Sequence, residues 1–187
     1  MVGARTGSGD AVKLDWRLVA LGDGPAISTS LTPAETDELR RLARGADVLE
    51  IGSAYGYSAI AMALAGGRVL AVDPHAWLDS AASMIANMVA YGVTDRIEIR
   101  RLDSRAALPA LVDAGRRFDL VWIDGDHAAD VVAHDVEWAR KLLRKTGALV
   151  CHDYGEETCP GVREALDAWK IPLRVVDTLA IYGPGKW

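Results

Sequence analysis

Residues 48–58 constrain the fold of this chain more than any other stretch. They begin as an apolar run short enough for a buried strand, pass Gly52 and Gly56, and enter the alanine-rich run 59–65, which predicts a helix. A strand, a glycine-rich turn and a helix in this order direct backbone N–H groups and a helix N-terminus at one point, where a ligand can approach the backbone closely. On the two glycines alone, a tight connection in any α/β protein is the alternative interpretation.

Two acidic residues narrow this choice. Glu50 directly precedes the glycine loop, and Asp73 ends the next apolar run, 68–72. The spacing between the loop and Asp73 is close to the roughly 20 residues at which a carboxylate binds a ribose hydroxyl pair. The dinucleotide fingerprint is incomplete, because Ser53, Ala54 and Tyr55 stand where its middle glycine would lie. A nucleotide-binding module or an NAD-type oxidoreductase is therefore the less favoured alternative.

This region resembles the cofactor site of class I S-adenosylmethionine (SAM)-dependent methyltransferases, and the resemblance is carried by Glu50-Ile51-Gly52, Gly56 and Val72-Asp73. It covers about residues 32–182. It implies that the two glycines contact the methionine part of SAM, that Asp73 binds the ribose, and that Asp103 reads the adenine amino group. A plain helix N-cap is the alternative role for Asp103. The complete predicted cofactor set is Glu50, Gly52, Ser53, Gly56, Ser58, Asp73, Asp103, Ser104 and Asp124.

Alternating apolar strands and amphipathic helices predict a parallel α/β sheet with helices on both faces. The last two predicted strands, 173–176 and 179–182, are joined by two residues and must form an antiparallel hairpin. With the resemblance, we expect a Rossmann-like, doubly wound, mostly parallel seven-stranded sheet with an antiparallel last strand. The other predicted strands are 46–51, 68–73, 96–100, 118–123 and 148–151.

Two segments precede this sheet. Residues 1–30 are expected to contain a flexible tail followed by a short helix at 14–21. The segment with this helix either covers the active site or packs on the sheet. Thr32, Pro33 and Glu35 predict the start of a helix with a capping box, which runs to about residue 44. Residues 31–187 are expected to form a single methyltransferase domain.

Composition excludes several classes of protein. The net charge of −5 and the lack of a Lys/Arg run argue against a nucleic-acid surface. No apolar run approaches the roughly 18 residues of a membrane span, and the N-terminus lacks the pattern of a signal peptide. Cys151 and Cys159 are too few for a disulfide framework, so a reduced, buried thiol is expected at Cys151. We expect a cytoplasmic protein with a small-molecule partner, and a homodimer is compatible with the sequence.

Polar residues follow two predicted strands that the methyltransferase resemblance implies to be neighbours. Asp124 follows strand 118–123, and His152 and Asp153 follow strand 148–151. Ligands of open α/β sheets bind at the carboxyl ends of the strands, so these three side chains should converge. Two carboxylates and an imidazole suit Mg²⁺ or Mn²⁺, with Zn²⁺ or Fe²⁺ as further candidates. Helix capping and loop solvation are the alternative roles of such acids.

A second resemblance bears on the chemistry. It is to bacterial methyltransferases of natural products and sugars and, in layout, to metal-dependent catechol O-methyltransferases. It is carried by residues 122–127, by the helix with Asp135 and Trp138, and by residues 152–154 and 160–162. It implies that Asp124, His152 and Asp153 hold Mg²⁺, although His152 stands where an acid is usual. His127 stands at the position of a catalytic lysine, and a histidine can accept a hydroxyl proton at neutral pH. His127 and Asp124 are thus the predicted catalytic residues. A helix-start residue bonded to backbone is the alternative for His127.

The predicted function is SAM-dependent transfer of a methyl group to a hydroxyl of a small molecule, assisted by a divalent cation. A metal-independent methyltransferase of the same fold, acting on an N- or O-acceptor, is the alternative within the family. The sequence leaves the acceptor itself unspecified.

Overall fold

The computed structural model describes residues 16–77, 79–170 and 173–183. Its strands are β1 (Arg17–Val19), β2 (Ile27–Thr29), β3 (Asp47–Ile51), β4 (Arg68–Val72), β5 (Ile97–Arg100), β6 (Phe118–Ile123), β7 (Leu143–Cys151), β8 (Arg174–Val176) and β9 (Leu179–Tyr182). Its helices are α1 (Pro33–Leu42), α2 (Tyr57–Leu64), α3 (Ser80–Ala90), α4 (Ser104–Asp113), α5 (Ala129–Leu142) and α6 (Pro160–Asp167). The predicted tail, residues 1–10, lies outside the described residues.

Seven strands form one sheet in the order β5-β4-β3-β6-β7-β9-β8. Strand β3 pairs in parallel with β4 on one side and β6 on the other, and β6 pairs in parallel with β7. Strand β9 runs antiparallel to both β7 and β8. The doubly wound, mostly parallel sheet and its antiparallel hairpin are therefore confirmed. The strand order reverses between β3 and β6, which opens a crevice at their carboxyl ends.

Both faces of the sheet are covered. Val48 of β3 packs with Leu39 of α1 and Ile60 of α2 on one face, whereas Leu49 packs with Leu108 of α4 on the other. Burial on both faces explains why the strands read as continuous apolar runs instead of alternating ones. The rigid sheet fixes the positions of the residues at its strand ends.

Helix α1 starts as predicted. Thr32 Oγ1 accepts a hydrogen bond from Glu35 N at 3.2 Å, and Glu35 Oε2 accepts one from Thr32 N at 2.8 Å. Pro33 occupies the first helical position, where no N–H partner is needed. The capping box is therefore confirmed, and Glu35 is buried within it.

The short helix predicted at 14–21 is wrong where the structure describes it. Residues 17–19 form β1, which pairs antiparallel with β2. Tyr91 of α3 donates a hydrogen bond to Pro25 O at 2.6 Å and accepts one from Leu21 N at 2.9 Å. This distant tyrosine holds the turn between the two strands, so a tertiary contact overrides the local apolar spacing. Residues 14 and 15 lie outside the described residues.

A second boundary also differs from prediction. Helix α5 ends at Leu142 and β7 begins at Leu143, five residues before the predicted start of that strand. Arg144 pairs with Asp119 at 2.9 Å and with Asp47 at 3.2 Å. These ion pairs hold residue 144 in an extended chain beside β6 and β3.

No helix in the described part of the chain is long and apolar enough to cross a membrane. Cys151 and Cys159 are both buried and free, as expected for Cys151.

Candidate active site

A cavity of about 650 Å³ lies at the carboxyl ends of the parallel strands. Its volume falls within the range of about 300–1,000 Å³ that is typical of small-molecule sites. The wall is built from the ends of β3, β4 and β6, the starts of α2 and α4, and the chain from β2 to Leu31. Seven of the nine predicted cofactor residues and two further predicted site residues line it: Gly52, Ser53, Ser58, Asp73, Asp103, Ser104, Asp124 and, outside the cofactor set, His127 and Asp153.

The glycine loop and Asp73 are joined by backbone donors. Asp73 Oδ2 accepts hydrogen bonds from Ser53 N at 2.8 Å and Ala54 N at 2.9 Å, and its Oδ1 accepts one from His75 N at 2.6 Å. A carboxylate offers about four lone-pair sites, so these three bonds leave capacity for a ligand hydroxyl. The side chain is 15% exposed, towards the cavity that it lines. The loop therefore fixes the carboxylate in place before any ligand binds.

The two glycines of the loop are required for different reasons. Gly52 has φ +85°, and a Cβ at this position would collide with the carbonyl oxygen of Asp124. Gly56 has φ +87° at the N-cap of α2, and its Cβ would lie 2.8 Å from Met84 Cγ. Gly52 thus permits the close approach of the β3 and β6 ends, and it also lines the cavity, which Gly56 does not.

Glu50 lies beneath the loop and not in the cavity wall. Its side chain is completely buried and accepts a short hydrogen bond from Ser58 Oγ. Burial raises the pKa of Glu50 to about 8, and the negative charges of Asp124 and Asp73 add to that effect against the opposing bond from Ser58. A neutral carboxyl is therefore favoured there at neutral pH.

Asp103 is both a helix cap and a residue of the cavity wall. It is the N-cap of α4, where its Oδ1 accepts a hydrogen bond from Arg105 N at 2.8 Å, and it also lines the cavity. Ser104 and Asp135 line the cavity beside it. Asp135 comes from α5 and lies 3.0 Å from His134 Nδ1. Asp135 was not predicted as a site residue, although the helix with Asp135 and Trp138 is part of the second resemblance.

Acidic and imidazole side chains converge at the ends of β6 and β7. His152 Nδ1 lies 3.2 Å from both Asp124 Oδ1 and Asp153 Oδ2. His127 Nε2 lies 2.8 Å from the same Asp153 oxygen, without the alignment of a hydrogen bond. On its other side, His152 Nε2 lies 3.4 Å from Glu35 Oε2. The structure thus brings Asp124, His127, His152 and Asp153 together, as predicted. Glu35 also belongs to this cluster and was not predicted.

The charges of this cluster stabilise one another. Burial opposes the charged form of His152, but Asp124, Asp153 and Glu35 raise its pKa well above the ordinary value. A contact with Asp153 raises the pKa of His127 against the effect of burial. Burial also works against an ionised Asp153, yet the two imidazoles hold its pKa well below the usual range. Burial raises the pKa of Asp124, against the opposing pull of His152.

A family described as a methyltransferase domain matches residues 49–154. This range is more than half of the chain, and it contains the glycine loop, Asp73 and both strand ends that carry the acid–imidazole cluster. The chain belongs to this methyltransferase family.

Similar proteins agree with this assignment. Catechol O-methyltransferase of Niastella koreensis is 33% identical over 136 residues, which are 69% of this chain and 58% of that protein. The O-methyltransferase of Bacillus cereus in complex with SAH superposes with a TM-score of 0.65 at 23% identity, over 81% of this chain and 80% of that one. TomG of Streptomyces achromogenes, an O-methyltransferase involved in tomaymycin synthesis and in complex with SAM, superposes with a TM-score of 0.66 at 24% identity, over 83% of this chain and 82% of that one.

At 23% and 24% identity, the two solved structures show the fold alone. The chain spans little more than half the length of the first curated relatives that it matches, 58% and 54%. Family membership and the methyltransferase fold are thus established, whereas the reaction is inferred from the site.

The donor set at β6 and β7 fits the divalent ion that the resemblance implies. Ligand atoms of Asp124, His152 and Asp153 lie within 4.8 Å of one another. The far nitrogen of His152 faces Glu35, and metal-binding histidines usually have a carboxylate at that place. The same side chains also attract one another without a metal ion when both ring nitrogens of His152 are protonated. A proton on His152 Nδ1 and a metal ion would occupy the same position, so only one of them can be present at a time.

Aromatic residues in the cavity wall were also missed. The rings of Trp16, Tyr55 and Trp77 gather there, with centroids 6.1 Å apart for Trp16–Tyr55 and 5.8 Å for Trp16–Trp77. They come from the first described residue, the glycine loop and the segment after β4. Only Tyr55 lies within a motif, so no sequence pattern marked the three rings as a group.

Proposed function

We propose that this protein is a SAM-dependent methyltransferase that transfers the methyl group to a hydroxyl of a small molecule. The observation that carries the proposal is one cavity lined both by Asp73 with the glycine loop and by the His127–Asp153 pair. The catechol O-methyltransferase relative and the SAM- and SAH-bound neighbours support the same reaction class.

The cofactor would be held mainly by the ends of β3 and β4. Asp73 would bind the ribose hydroxyls through the lone pairs that its three backbone donors leave free. Asp103 and Ser104, at the start of α4, would contact the adenine. The loop around Gly52 and Ser53 would approach the methionine part. All of these proposed cofactor contacts come from residues that line the cavity.

Methyl transfer is an in-line displacement at carbon. The bond from the acceptor oxygen to the methyl carbon forms as the sulfur–methyl bond breaks, and the hydroxyl proton must leave. His127 would take this proton on Nδ1, because Asp153 lies against its Nε2. Asp153 would then stabilise the resulting imidazolium. Aligning donor and acceptor supplies the remaining rate enhancement.

A divalent ion would be held by Asp124, Asp153 and His152, with Mg²⁺ or Mn²⁺ as the candidates. A bound ion of this kind lowers the pKa of a hydroxyl that contacts it. Two carboxylates alone suit Mg²⁺, whereas a set that includes His152 shifts the preference towards Mn²⁺. The residues of the chain would bind and orient the acceptor in either case.

Chelation tests this proposal. The protein is stripped with EDTA, and methyl transfer from labelled SAM to a panel of small phenols and sugars is followed before and after Mg²⁺ or Mn²⁺ is added. We expect SAM but not NAD to bind in calorimetry, and activity to return with one of the ions. Absence of SAM binding would overturn the cofactor assignment.

A metal-independent enzyme of the same reaction class is the second candidate. It is favoured by one observation, the position of His152 between three carboxylates, where a protonated ring already supplies positive charge. Full activity of the stripped protein would establish this candidate. Ion-dependent activity, together with loss of Mn²⁺ binding in Asp124→Asn and retained SAM affinity, would instead establish the metal site.

A further inference from the structure

Glu35 makes more contacts than a helix cap requires. It lies in the first turn of α1, yet only 1% of its surface is exposed. Its Oε2 accepts the capping-box bond from Thr32 N, and its Oε1 accepts bonds from Thr178 N at 2.8 Å and Thr178 Oγ1 at 2.7 Å. Oε2 also lies 3.4 Å from His152 Nε2. The cap accounts for the first contact alone.

His152 needs a partner on this side of its ring. Its Nδ1 edge faces Asp124 and Asp153, and its ring lies against Trp122 with the centroids 5.6 Å apart. In the described part of the chain, Glu35 is the group that contacts Nε2. A separation of 3.4 Å is long for a hydrogen bond. Both side chains are at most 3% exposed, however, and a buried polar group left without a partner is costly.

We propose that Glu35 is a positioning residue that fixes the orientation of the His152 ring, so that Nδ1 faces Asp124 and Asp153. The carboxylate is itself held from two directions, by the start of α1 and by Thr178 in the turn between β8 and β9. A half-turn of the His152 ring would remove Nε2 from Glu35 and Nδ1 from the two acids. The effect on turnover rests on the proposed function, whereas the ring orientation does not.

Ring nitrogen NMR tests the orientation directly. The chain contains four histidines, so the His152 signals of untagged, ¹⁵N-histidine-labelled protein can be assigned by their loss in His152→Asn. We expect Glu35→Gln to shift both ring nitrogens of His152. Glu38→Gln is the matched control, because it makes the same change on α1 at a carboxylate that pairs with Arg41 and Arg174 and does not contact His152. It should leave the His152 signals unchanged.

A double-mutant cycle tests the effect on turnover. A residue that acts through a site histidine typically contributes about 10–100-fold to activity. We therefore expect Glu35→Gln to lower kcat about 10-fold or more, with KM for SAM within about twofold of the parent. In a His152→Asn background the same substitution should have no further effect, because there is no ring left to position.

The outcomes separate this proposal from the proposed function. Unchanged His152 signals in Glu35→Gln, or equal losses of kcat in both backgrounds, would overturn the positioning role. Shifted signals in a protein without detectable methyl transfer would keep the positioning role and contradict the reaction. If Glu35→Gln folds poorly, Glu35→Asp serves instead. It keeps the charge but withdraws it by one methylene, so it should shift the same His152 signals by a smaller amount.

Discussion

The two sides of the cavity are built in different ways. At the ends of β3 and β4, backbone N–H groups hold Asp73, and its partners lie 20, 19 and 2 residues away in sequence. At the ends of β6 and β7, charged side chains hold one another, and His152 reaches Asp124 across 28 residues and Glu35 across 117. The first side is local and nearly rigid, whereas the second depends on segments that meet only when the chain folds.

This difference suggests that the two sides of the cavity have different functions. A fixed carboxylate with free lone pairs is suited to holding a cofactor in one orientation. A cluster of coupled acids and imidazoles is suited to moving a proton or holding an ion. Substitutions on the first side should therefore change affinity, and substitutions on the second should change turnover.

The largest expected effect is on the acid–imidazole side. His127→Gln should lower kcat by about 10²–10⁴-fold, the usual contribution of a general base, and leave SAM affinity within about twofold. Single-turnover kinetics and calorimetry measure the two quantities separately. His134→Gln is the control, because it makes the same change at a histidine of α5 that contacts Asp135 and lies outside the acid–imidazole cluster. Near-normal turnover in His127→Gln would assign His127 to structure.

A smaller effect is expected on the cofactor side. Asp73→Asn should weaken SAM binding by about 10–10²-fold, because it removes charge-assisted hydrogen bonds worth about 1.5–3 kcal/mol. At saturating SAM, kcat should stay close to that of the parent. Asp126→Asn is the control for a change of charge, since Asp126 lines the same cavity but accepts only the bond from Ala128 N among the described residues. Unchanged affinity in Asp73→Asn would remove Asp73 from the cofactor site.

The same comparison explains what could be predicted from the sequence. Most strands lie within one or two residues of their predicted bounds, because each combines an apolar run with nearby glycine or proline. The capping box of α1 and the spacing of Asp73 from the glycine loop are local as well. Patterns of this range can be recognised without knowledge of the fold.

Features that depend on distant segments were missed. The turn after β1 is held by Tyr91, which lies 70 residues from Leu21, so the local apolar spacing of 14–21 was misleading. Glu35 was recognised as a cap, but its contact with His152 requires α1 to lie beside the end of β7. Asp124, His152 and Asp153 were predicted to converge only because the resemblance implies that their strands are neighbours and because ligands bind at the carboxyl ends of parallel strands.

The third expected effect, on stability instead of turnover or binding, concerns Glu50, which lies beneath the boundary between the two sides. Its pKa is raised from 4.5 to about 8 by burial, with the charges of Asp124 and Asp73 adding to the effect. Between these two pH values the folded state keeps a proton that the unfolded state has released. The free energy of unfolding should therefore fall as pH rises through this window, about tenfold in the folding equilibrium per pH unit.

Glu50→Gln should lack this slope, because the amide is neutral at every pH and has nearly the same size. Urea unfolding of both proteins at pH 5, 6, 7 and 8 measures it, and groups that titrate in both cancel in the difference. The advantage of Glu50→Gln should grow with pH, whereas Glu98→Gln, on an exposed part of β5, should run parallel to the parent. Parallel curves for Glu50→Gln would mean that Glu50 is ionised in the folded protein. The cofactor side would then carry a second negative charge beneath its glycine loop, and it would resemble the acid–imidazole side more closely than its hydrogen bonds suggest.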